Sequence, residues 1–216
     1  LRRQARHGFL RHLRPQPAAQ GDFTVAQNEA VVDYPNDVTF RLELDAPVTL
    51  ASAVLAYDVE QFSCVEVNAQ VPVEVNGATA EWTWVMSRSG NPPPGSQLWW
   101  QWTVTDTAGN IFTTPRQELT FADERFNWQT VEAEGIHLHW YRGDDVGPLL
   151  LDAAVEGLVR LEQEMGIELQ DDVQLFIYGD SEDMRDAVLY IQEWAGGVAF
   201  SEYNTILIGV PPNIAV

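Results

Sequence analysis

Two histidines at alternate positions are the residues of this chain best spaced to bind a metal ion together. His137 and His139 lie two residues apart in a run typical of a β-strand, so both rings point to one face. Imidazole nitrogens are common zinc ligands. The other two histidines, His7 and His12, are far away in the sequence, and no third ligand stands nearby. We therefore expect polar residues on an exposed face here and assign no metal ligand.

Side chains that could act as nucleophiles or general acids lack the neighbours that such chemistry needs. Ser63, Ser181 and Ser201 have no Gly-x-Ser-x-Gly setting. The acid pairs at 144–145 and 171–172 precede a predicted helix and a predicted strand, where carboxylates serve as caps or solvated turn residues. No glycine-rich phosphate loop is present. The sequence assigns no catalytic residue.

The composition is that of an acidic globular protein. The 216 residues include 12 Arg, no Lys and 32 acidic residues, which gives a formal net charge of -20. Such a surface repels phosphate backbones, so we expect no nucleic-acid partner. The single cysteine, Cys64, cannot form an internal disulfide and has no histidine near it in the sequence. No window approaches the roughly 18 consecutive apolar residues of a membrane span.

The first 21 residues differ from the rest of the chain. Five of the 12 arginines fall within positions 1–14, followed by prolines and small residues. This order resembles the flanks of a secretory signal without its apolar middle, and it predicts a disordered or truncated leader over residues 1–21. We expect an extracellular or cell-envelope location.

Residues 22–122 consist of short runs that alternate apolar and polar residues or are rich in β-branched residues. Such runs predict an all-β sandwich. The runs are 23–26, 30–34, 38–44, 49–57, 64–75, 78–86, 97–106 and 117–121. Asn76-Gly77 is a hairpin signal. Residues 102–110, Trp-Thr-Val-Thr-Asp-Thr-Ala-Gly-Asn, resemble the last hairpin of bacterial immunoglobulin-like and fibronectin-type modules.

Five tryptophans in this part have two interpretations. Trp82 and Trp84 share one face of a strand, and Trp99 points away from Trp100 and Trp102. An exposed aromatic row would be a sugar-stacking platform, because flat rings bury much area at low entropic cost. The alternative, which we favour, is that at least one pair is core.

The pattern of residues 123–216 indicates strands that alternate with helices, and this order predicts an α+β domain. The expected order is β-β-α-β-α-β-β, with a hairpin at 127–141, a helix from Asp145 to Gly166 and a buried strand at 173–178. A second helix is predicted from Asp180 or Ser181 to about Trp194, ended by two glycines. Strands at 198–201 and 205–210 follow.

This domain resembles the N-terminal half of gluzincin-type zinc metallopeptidases, specifically bacterial peptidase-MA-like proteins, over residues 124–213. The resemblance is carried by Glu-Arg-Phe-Asn-Trp (124–128), Ile-His-Leu-His-Trp-Tyr-Arg-Gly-Asp (136–144) and Gly-Gly-Val-Ala-Phe-Ser-Glu-Tyr-Asn-Thr-Ile-Leu-Ile-Gly (196–209). It implies a zincin-like fold in which the short strand is a sheet edge that pairs with an extended substrate peptide.

By this resemblance the substrate-binding edge is Gly197, Val198, Ala199 and Phe200. Related aminopeptidases carry Gly-Ala-Met-Glu-Asn or Gly-Gly-Met-Glu-Asn here and hold the substrate amine with the Glu. Ala199 takes the place of that Glu, which argues against an aminopeptidase. The family's next element is a helix with His-Glu-x-x-His, which binds zinc, and these 216 residues contain no such motif. Asn213 is a candidate cap for that helix.

The sequence thus predicts an N-terminal fragment of a secreted or envelope-associated bacterial metallopeptidase-like protein, inactive by itself. Zinc is expected in the intact parent and no cofactor in this chain. The expected partner is an extended peptide or protein substrate. The alternative is a non-catalytic cell-surface binding or adhesion protein that contacts glycans through its Trp-rich sandwich.

Overall fold

The computed structural model describes residues 23–45, 47–62, 68–166 and 168–210, and these are mostly β-strand. Within those ranges neither α-helix combines the length and the apolar character that crossing a bilayer requires. Several predictions lie outside the described residues: the leader at 1–21, Ser63, Cys64 and the cap at Asn213.

The N-terminal part is a β-sandwich of two antiparallel sheets. Its strands are β1 (Val25–Asp33), β2 (Asp37–Leu44), β3 (Leu50–Val59), β4 (Ala69–Val73), β5 (Val75–Asn76), β6 (Thr79–Val85), β7 (Gln97–Asp106), β8 (Ile111–Thr113) and β9 (Gln117–Thr120). One sheet has the order β1-β2-β6-β5 and the other β4-β3-β7-β8, with β9 also paired to β7. Alternate residues of the strands, such as Phe40, Leu55 and Trp102, point between the sheets into one core.

Three details of this part differ from the sequence prediction. The described residues of the run 64–75 belong to two strands, β4 and β5, which lie in different sheets. The runs 23–26 and 30–34 are one continuous strand, β1, because the polar residue between them is accommodated: Asn28 accepts a hydrogen bond from the Trp100 indole N–H at 2.9 Å. The prediction also missed β8, a three-residue strand that follows the turn at 106–110. Asp106 organises that turn by accepting the backbone N–H groups of Ala108 and Asn110.

The C-terminal part is a five-stranded sheet with one helix on each face. Its elements are β10 (Gln129–Ala133), β11 (Ile136–Trp140), α1 (Val146–Met165), β12 (Val173–Tyr178), α2 (Ser181–Asp186), β13 (Gly197–Phe200) and β14 (Thr205–Gly209). The strand order is β10-β11-β12-β14-β13. The three central strands are parallel, whereas β10 and β13 are antiparallel edges. The chain order of elements is the one that the sequence predicts.

Helix α1 packs on β10 and β11, and the described residues leave part of the same face of the sheet open next to Leu175 and Ile206. It ends as predicted at Gly166, whose φ of 65° is left-handed and whose N–H bonds to the Glu162 carbonyl at 2.9 Å. Asp145 lies at the N-cap position but its side chain makes no capping hydrogen bond. Between α1 and β14 runs an apolar groove of about 550 Å³. Its walls include Leu158, Leu161, Leu175 and Ile206.

The predicted extent of the second helix is wrong, because α2 ends at Asp186 and not near Trp194. The carbonyl of Ala187 and the N–H of Leu189 bond to the Asn91 side chain in the sandwich, which draws the chain out of the helical path. Tyr190 is left-handed, with φ 66°, and Trp194 is 84% exposed. Gly196 and Gly197 therefore do not end a helix; they lead into β13.

Candidate functional site

Strand β13 is an open edge of the C-terminal sheet, at the position that the resemblance implies. Gly197, Val198, Ala199 and Phe200 pair with Ile208, Leu207, Ile206 and Thr205 of β14. No other strand within the described ranges pairs with β13. Its role in substrate binding stays a prediction.

The pairing pattern shows which backbone groups of β13 face the open side. The N–H of Gly209 bonds to the Gly196 carbonyl at 2.9 Å, so these two residues form a hydrogen-bonded pair. Because hydrogen-bonded and non-hydrogen-bonded pairs alternate along antiparallel strands, Gly197 and Ala199 direct their N–H and C=O groups away from β14. The open edge therefore presents two donors and two acceptors.

The side chains of β13 divide between the two faces of the sheet. Val198 and Phe200 pack on the α2 side, in a cluster that includes Met184 and Leu207. Ala199 is exposed and, as a methyl group, offers no carboxylate that could hold a substrate amine. The edge thus presents backbone groups beside a small, exposed side chain.

A glycine allows the sheet to approach α2 closely. A Cβ on Gly209 would lie 2.5 Å from the Ser181 Cα and 2.6 Å from the Asp180 carbonyl oxygen. Asp180 itself caps α2, since its side chain accepts the N–H groups of Glu182 and Asp183 at 3.1 and 2.9 Å. This contact fixes the end of β14, and hence the register of the paired edge strand, against the start of α2.

A cleft of about 450 Å³ lies between the sandwich and the end of β13. Phe200 and Tyr203 form part of one wall, and Tyr57, Asp58 and Trp84 form part of the other. The cleft therefore begins where the open edge ends, and its two walls come from the two parts of the chain.

Two sets of hydrogen bonds hold these walls together. On one side the Gln61 amide donates to the Tyr203 hydroxyl at 3.0 Å, and the Phe62 N–H donates to the Glu202 carbonyl at 2.8 Å. On the other side Asn91 bonds to the segment that follows α2. Because these hydrogen bonds join residues far apart in sequence, the cleft depends on both parts of the chain.

One carboxyl group in the cleft, that of Asp58, is partly buried. The pKa of Asp58 is raised, mainly because burial penalises its charged form; the Val59 N–H and the more distant Arg116 oppose the shift. Asp58 also raises the pKa of the Tyr57 and Tyr203 hydroxyls, in addition to the larger effect of their burial. The Asp58 carboxylate is thus close to two aromatic rings, and its neighbours only partly offset the cost of burying its charge.

His137 and His139 lie on the same face of β11 but contact different side chains. His137 lies between Glu132 and Asp172, with one carboxylate 3.2 Å from each ring nitrogen. His139 stacks on Phe176 at 4.3 Å, and its ring nitrogens contact Thr130 at 3.0 Å and Gln174 at 2.8 Å. In the part of the chain that the structure describes, no three His, Cys, Asp or Glu side chains are grouped to hold a metal ion. The described residues therefore do not fit a zinc site.

A buried carboxylate at the junction of the two parts was missed by sequence reasoning. Asp123 is 1% exposed and accepts two hydrogen bonds from the Arg125 guanidinium, at 2.7 and 2.8 Å, and one from the Tyr178 hydroxyl at 3.0 Å. Burial, followed by the charge of Asp123, raises the pKa of Tyr178. The spacing Asp-x-Arg is the one local signal, and it is too common to single out. Asp123, Tyr178 and Arg125 bond to one another, and Arg125 also donates to the Asp183 carbonyl at 3.1 Å, so we assign them a structural role.

The tryptophans are mostly core, as we expected for at least one pair. Trp100 is 4% exposed and Trp102 is fully buried, so this pair belongs to the core. Trp99 is half-buried, and the Arg116 guanidinium covers its ring at 4.4 Å from the centroid. Trp82 and Trp84 pack partly buried against the sandwich core.

Comparisons with solved structures give only weak likenesses. A carbohydrate-binding module family 56 β-1,3-glucan binding domain is 20% identical, with 46% of this chain and 99% of that one covered and a TM-score of 0.30. A polysaccharide deacetylase from Bacillus cereus is 10% identical, with 77% and 53% covered and a TM-score of 0.33. No curated protein matches the chain.

The sequence comparison with protein families is more informative. Residues 153–215 match the Peptidase MA superfamily. The matched stretch contains most of α1 and all of β12, α2, β13 and β14, which include the open edge. This match supports a relationship between the C-terminal part of the chain and the peptidase MA superfamily.

Proposed function

We propose that residues 123–210 are the substrate-binding part of a gluzincin-type metallopeptidase-like domain and that an extended peptide pairs with β13. The observation that carries the proposal is the edge strand, at which Gly197 and Ala199 direct their backbone groups away from β14. An extended peptide satisfies such groups by adding a strand. The family match over this same segment supports the assignment.

Edge pairing alone gives weak binding. Up to four backbone hydrogen bonds at about 1 kcal/mol each amount to about 4 kcal/mol, which corresponds to a millimolar dissociation constant. Tighter binding needs side-chain contacts beside the edge. The cleft that begins at Phe200 supplies a surface for them.

The proposal assigns binding, and no bond cleavage, to the described residues. They do not form a zinc site, and the sequence has no His-Glu-x-x-His. In the intact parent we propose that zinc is held by a helix of the type that follows β14 in the resembling family. The apolar groove between α1 and β14 has the lining that such an amphipathic helix needs.

We further propose that the parent is a bacterial protein acting outside the cell or in its envelope. The support is the resemblance of residues 102–110 to bacterial immunoglobulin-like modules. Fractionation of source cells with an antibody against the sandwich tests this: recovery with the cytoplasmic proteins would contradict it.

A peptide N-methylation scan tests the edge pairing. Fluorescent octapeptides of Thr, Ala and Ser are methylated at one backbone nitrogen at a time, and their binding is followed by anisotropy. Because only alternate N–H groups of a paired strand face β13, methylation should weaken binding at every second position. Equal effects at all positions, or no binding of the unmethylated peptide, would overturn the proposal.

An edge variant supplies the matched control. Ala199→Pro removes one outward N–H and should therefore weaken peptide binding. The strand itself should remain, since proline is tolerated on edge strands whose N–H faces solvent. The matched control is Ala199→Ser, which keeps this N–H and places another small side chain at the same exposed position. Peptide binding should survive the control.

The second candidate function is glycan binding by the sandwich. The observation that keeps it open is the half-buried Trp99 ring. If it binds sugars, Arg116→Ala should uncover the ring and strengthen signals on a glycan array, and Trp99→Ala should abolish them. An array without signals for either variant would exclude this role for Trp99.

A further inference from the structure

The cleft beside Phe200 is lined by negative charge, which disfavours an acidic ligand. Two carboxylates line it, Asp58 within the wall and Glu202 at the rim. No arginine is among the described residues that line it. The whole chain adds to this local field with its formal charge of -20. A positively charged group is therefore favoured in the cleft.

Aromatic rings line the same cleft as the half-buried Asp58 carboxyl group. The Tyr57 and Trp84 rings lie 5.3 Å apart at 45°, and Tyr203 stands on the opposite wall. Aromatic faces attract cations, and the attraction grows where water is partly excluded. Asp58 is itself undercompensated by its neighbours, since burial raises its pKa. A ligand cation would contact rings and carboxylate together.

The geometry of β13 says which part of a peptide reaches the cleft. Val198 and Phe200 point to the α2 side of the sheet, and Phe200 lines the cleft. In a strand paired with β13, the side chain opposite Phe200 points to that same face. One peptide side chain therefore lies at the mouth of the cleft, next to Asp58 and Glu202.

We propose that the cleft is a specificity pocket for a lysine or arginine side chain of the peptide that pairs with β13. This inference rests on the proposed function, because β13 must place the side chain. The long aliphatic stem of either residue suits the aromatic and aliphatic side chains of the lining, and the charged end meets Asp58. The peptide's other side chains on this face fall over Val198, where the surface is apolar.

Single-substitution peptides test the pocket. Fluorescent octapeptides of Thr, Ala and Ser carry one Lys that is moved along the sequence, and norleucine or Glu replaces it in matched peptides. At one position we expect Lys to bind about fivefold more tightly than norleucine, and Glu to bind more weakly than norleucine. The preference for Lys should decrease when NaCl is raised from about 0.05 to about 0.5 M.

Isosteric variants assign the preference to the cleft. Asp58→Asn should remove most of the difference between the Lys and norleucine peptides, because it removes the negative charge. The fold should be kept, since the amide oxygen can still accept the Val59 N–H. Asp152→Asn removes one charge from the exposed side of α1 and should leave the difference unchanged. If Asp58→Asn does not fold, Glu202→Gln at the rim serves in its place.

The outcomes separate this inference from the proposed function. If Lys and norleucine peptides bind equally while the alternating N-methylation pattern is kept, edge pairing stands and the specificity pocket is wrong. If no peptide binds, both fail. A preference for Lys that survives both Asp58→Asn and Glu202→Gln would also overturn the pocket. Binding of neutral oligosaccharides that Asp58→Asn abolishes, with no Lys preference, would assign the cleft to sugars instead.

Discussion

The side-chain oxygen of Asn91 accepts a hydrogen bond from the backbone N–H of Leu189 at 2.8 Å. The amide nitrogen of the same side chain donates to the Ala187 carbonyl at 2.9 Å and to the Tyr34 hydroxyl at 3.0 Å. Asn91 is 7% exposed, so these bonds lie away from water. A loop of the sandwich thus holds the segment that leads into the edge strand.

Asn91→Ala should destabilise the protein by about 2 kcal/mol. The substitution leaves the buried Leu189 N–H and Ala187 carbonyl without their partner, and unpaired buried polar groups are costly. Urea unfolding measures the loss, and hydrogen exchange should show faster exchange at Leu189. Asn36→Ala, which removes an exposed pair with Asp33, is the control and should change stability by less than about 0.5 kcal/mol.

Gly209→Ala and Gly157→Ala should change stability in opposite directions. A Cβ at Gly209 meets backbone atoms of Asp180 and Ser181 at 2.5–2.6 Å, so we expect a loss of about 1–3 kcal/mol. A Cβ at Gly157, in the middle of α1, meets nothing within 4 Å, and alanine should add about 0.5–1 kcal/mol. Denaturant unfolding of both variants checks this. A neutral Gly209→Ala would mean that β14 and α2 are not in tight contact.

Asp123→Asn should cost about 1–3 kcal/mol. The amide group would turn an N–H₂ towards the Arg125 donors in place of a carboxylate oxygen, while the Tyr178 hydroxyl could still donate to the remaining oxygen. Glu124→Gln makes the same charge change at the neighbouring exposed position and should be nearly neutral. Equal effects of the two substitutions in unfolding experiments would show that the buried ion pair does not stabilise the junction.

His139 should make the protein less stable as the pH falls below about 6.5. Burial lowers the pKa of His139 from the ordinary 6.5; the Gln174 hydrogen bond opposes this shift and the charge of His137 adds to it. Between the folded and unfolded pKa values the unfolded chain binds more protons, so stability is present above the unfolded pKa and is lost as the pH falls through the folded one.

The measurement compares the free energy of unfolding of wild type and His139→Gln at about pH 7.5 and about pH 5.5. Wild type should lose more stability than the variant on acidification. An NMR titration of the His139 ring gives an independent check, and a midpoint at or above 6.5 would contradict the prediction.

Local patterns were sufficient for the elements whose partners are close in sequence. The three-and-four spacing of apolar residues and the glycine at 166 predict α1 nearly residue by residue. The hairpin of β10 and β11 follows from Glu134 and Gly135, both left-handed in the structure, and the apolar run at 173–178 is β12. The edge position of β13, in contrast, came from a family resemblance and not from its residue pattern.

Features that depend on distant contacts could not be read from the sequence. The end of α2 is set by Asn91, which lies 96 residues before Ala187. One wall of the cleft is joined to the other by Gln61 and Tyr203, which are 142 residues apart. Asp123 becomes buried because Tyr178 and Arg125 fold over it. In each case a polar side chain that looks ordinary in sequence acquires its role from tertiary packing.

The hydrogen bonds of Asn91 and Gln61 fix the sandwich against the C-terminal part of the chain, so the sandwich does more than precede the C-terminal sheet. If peptides pair with β13 as proposed, substitutions in the sandwich would alter which peptides bind without changing that strand, because Tyr57, Asp58 and Trp84 form one side of the cleft. Divergent relatives could therefore change specificity through the first part of the chain while the second keeps its backbone geometry. Exchange of the sandwich between such relatives would transfer ligand preference along with it.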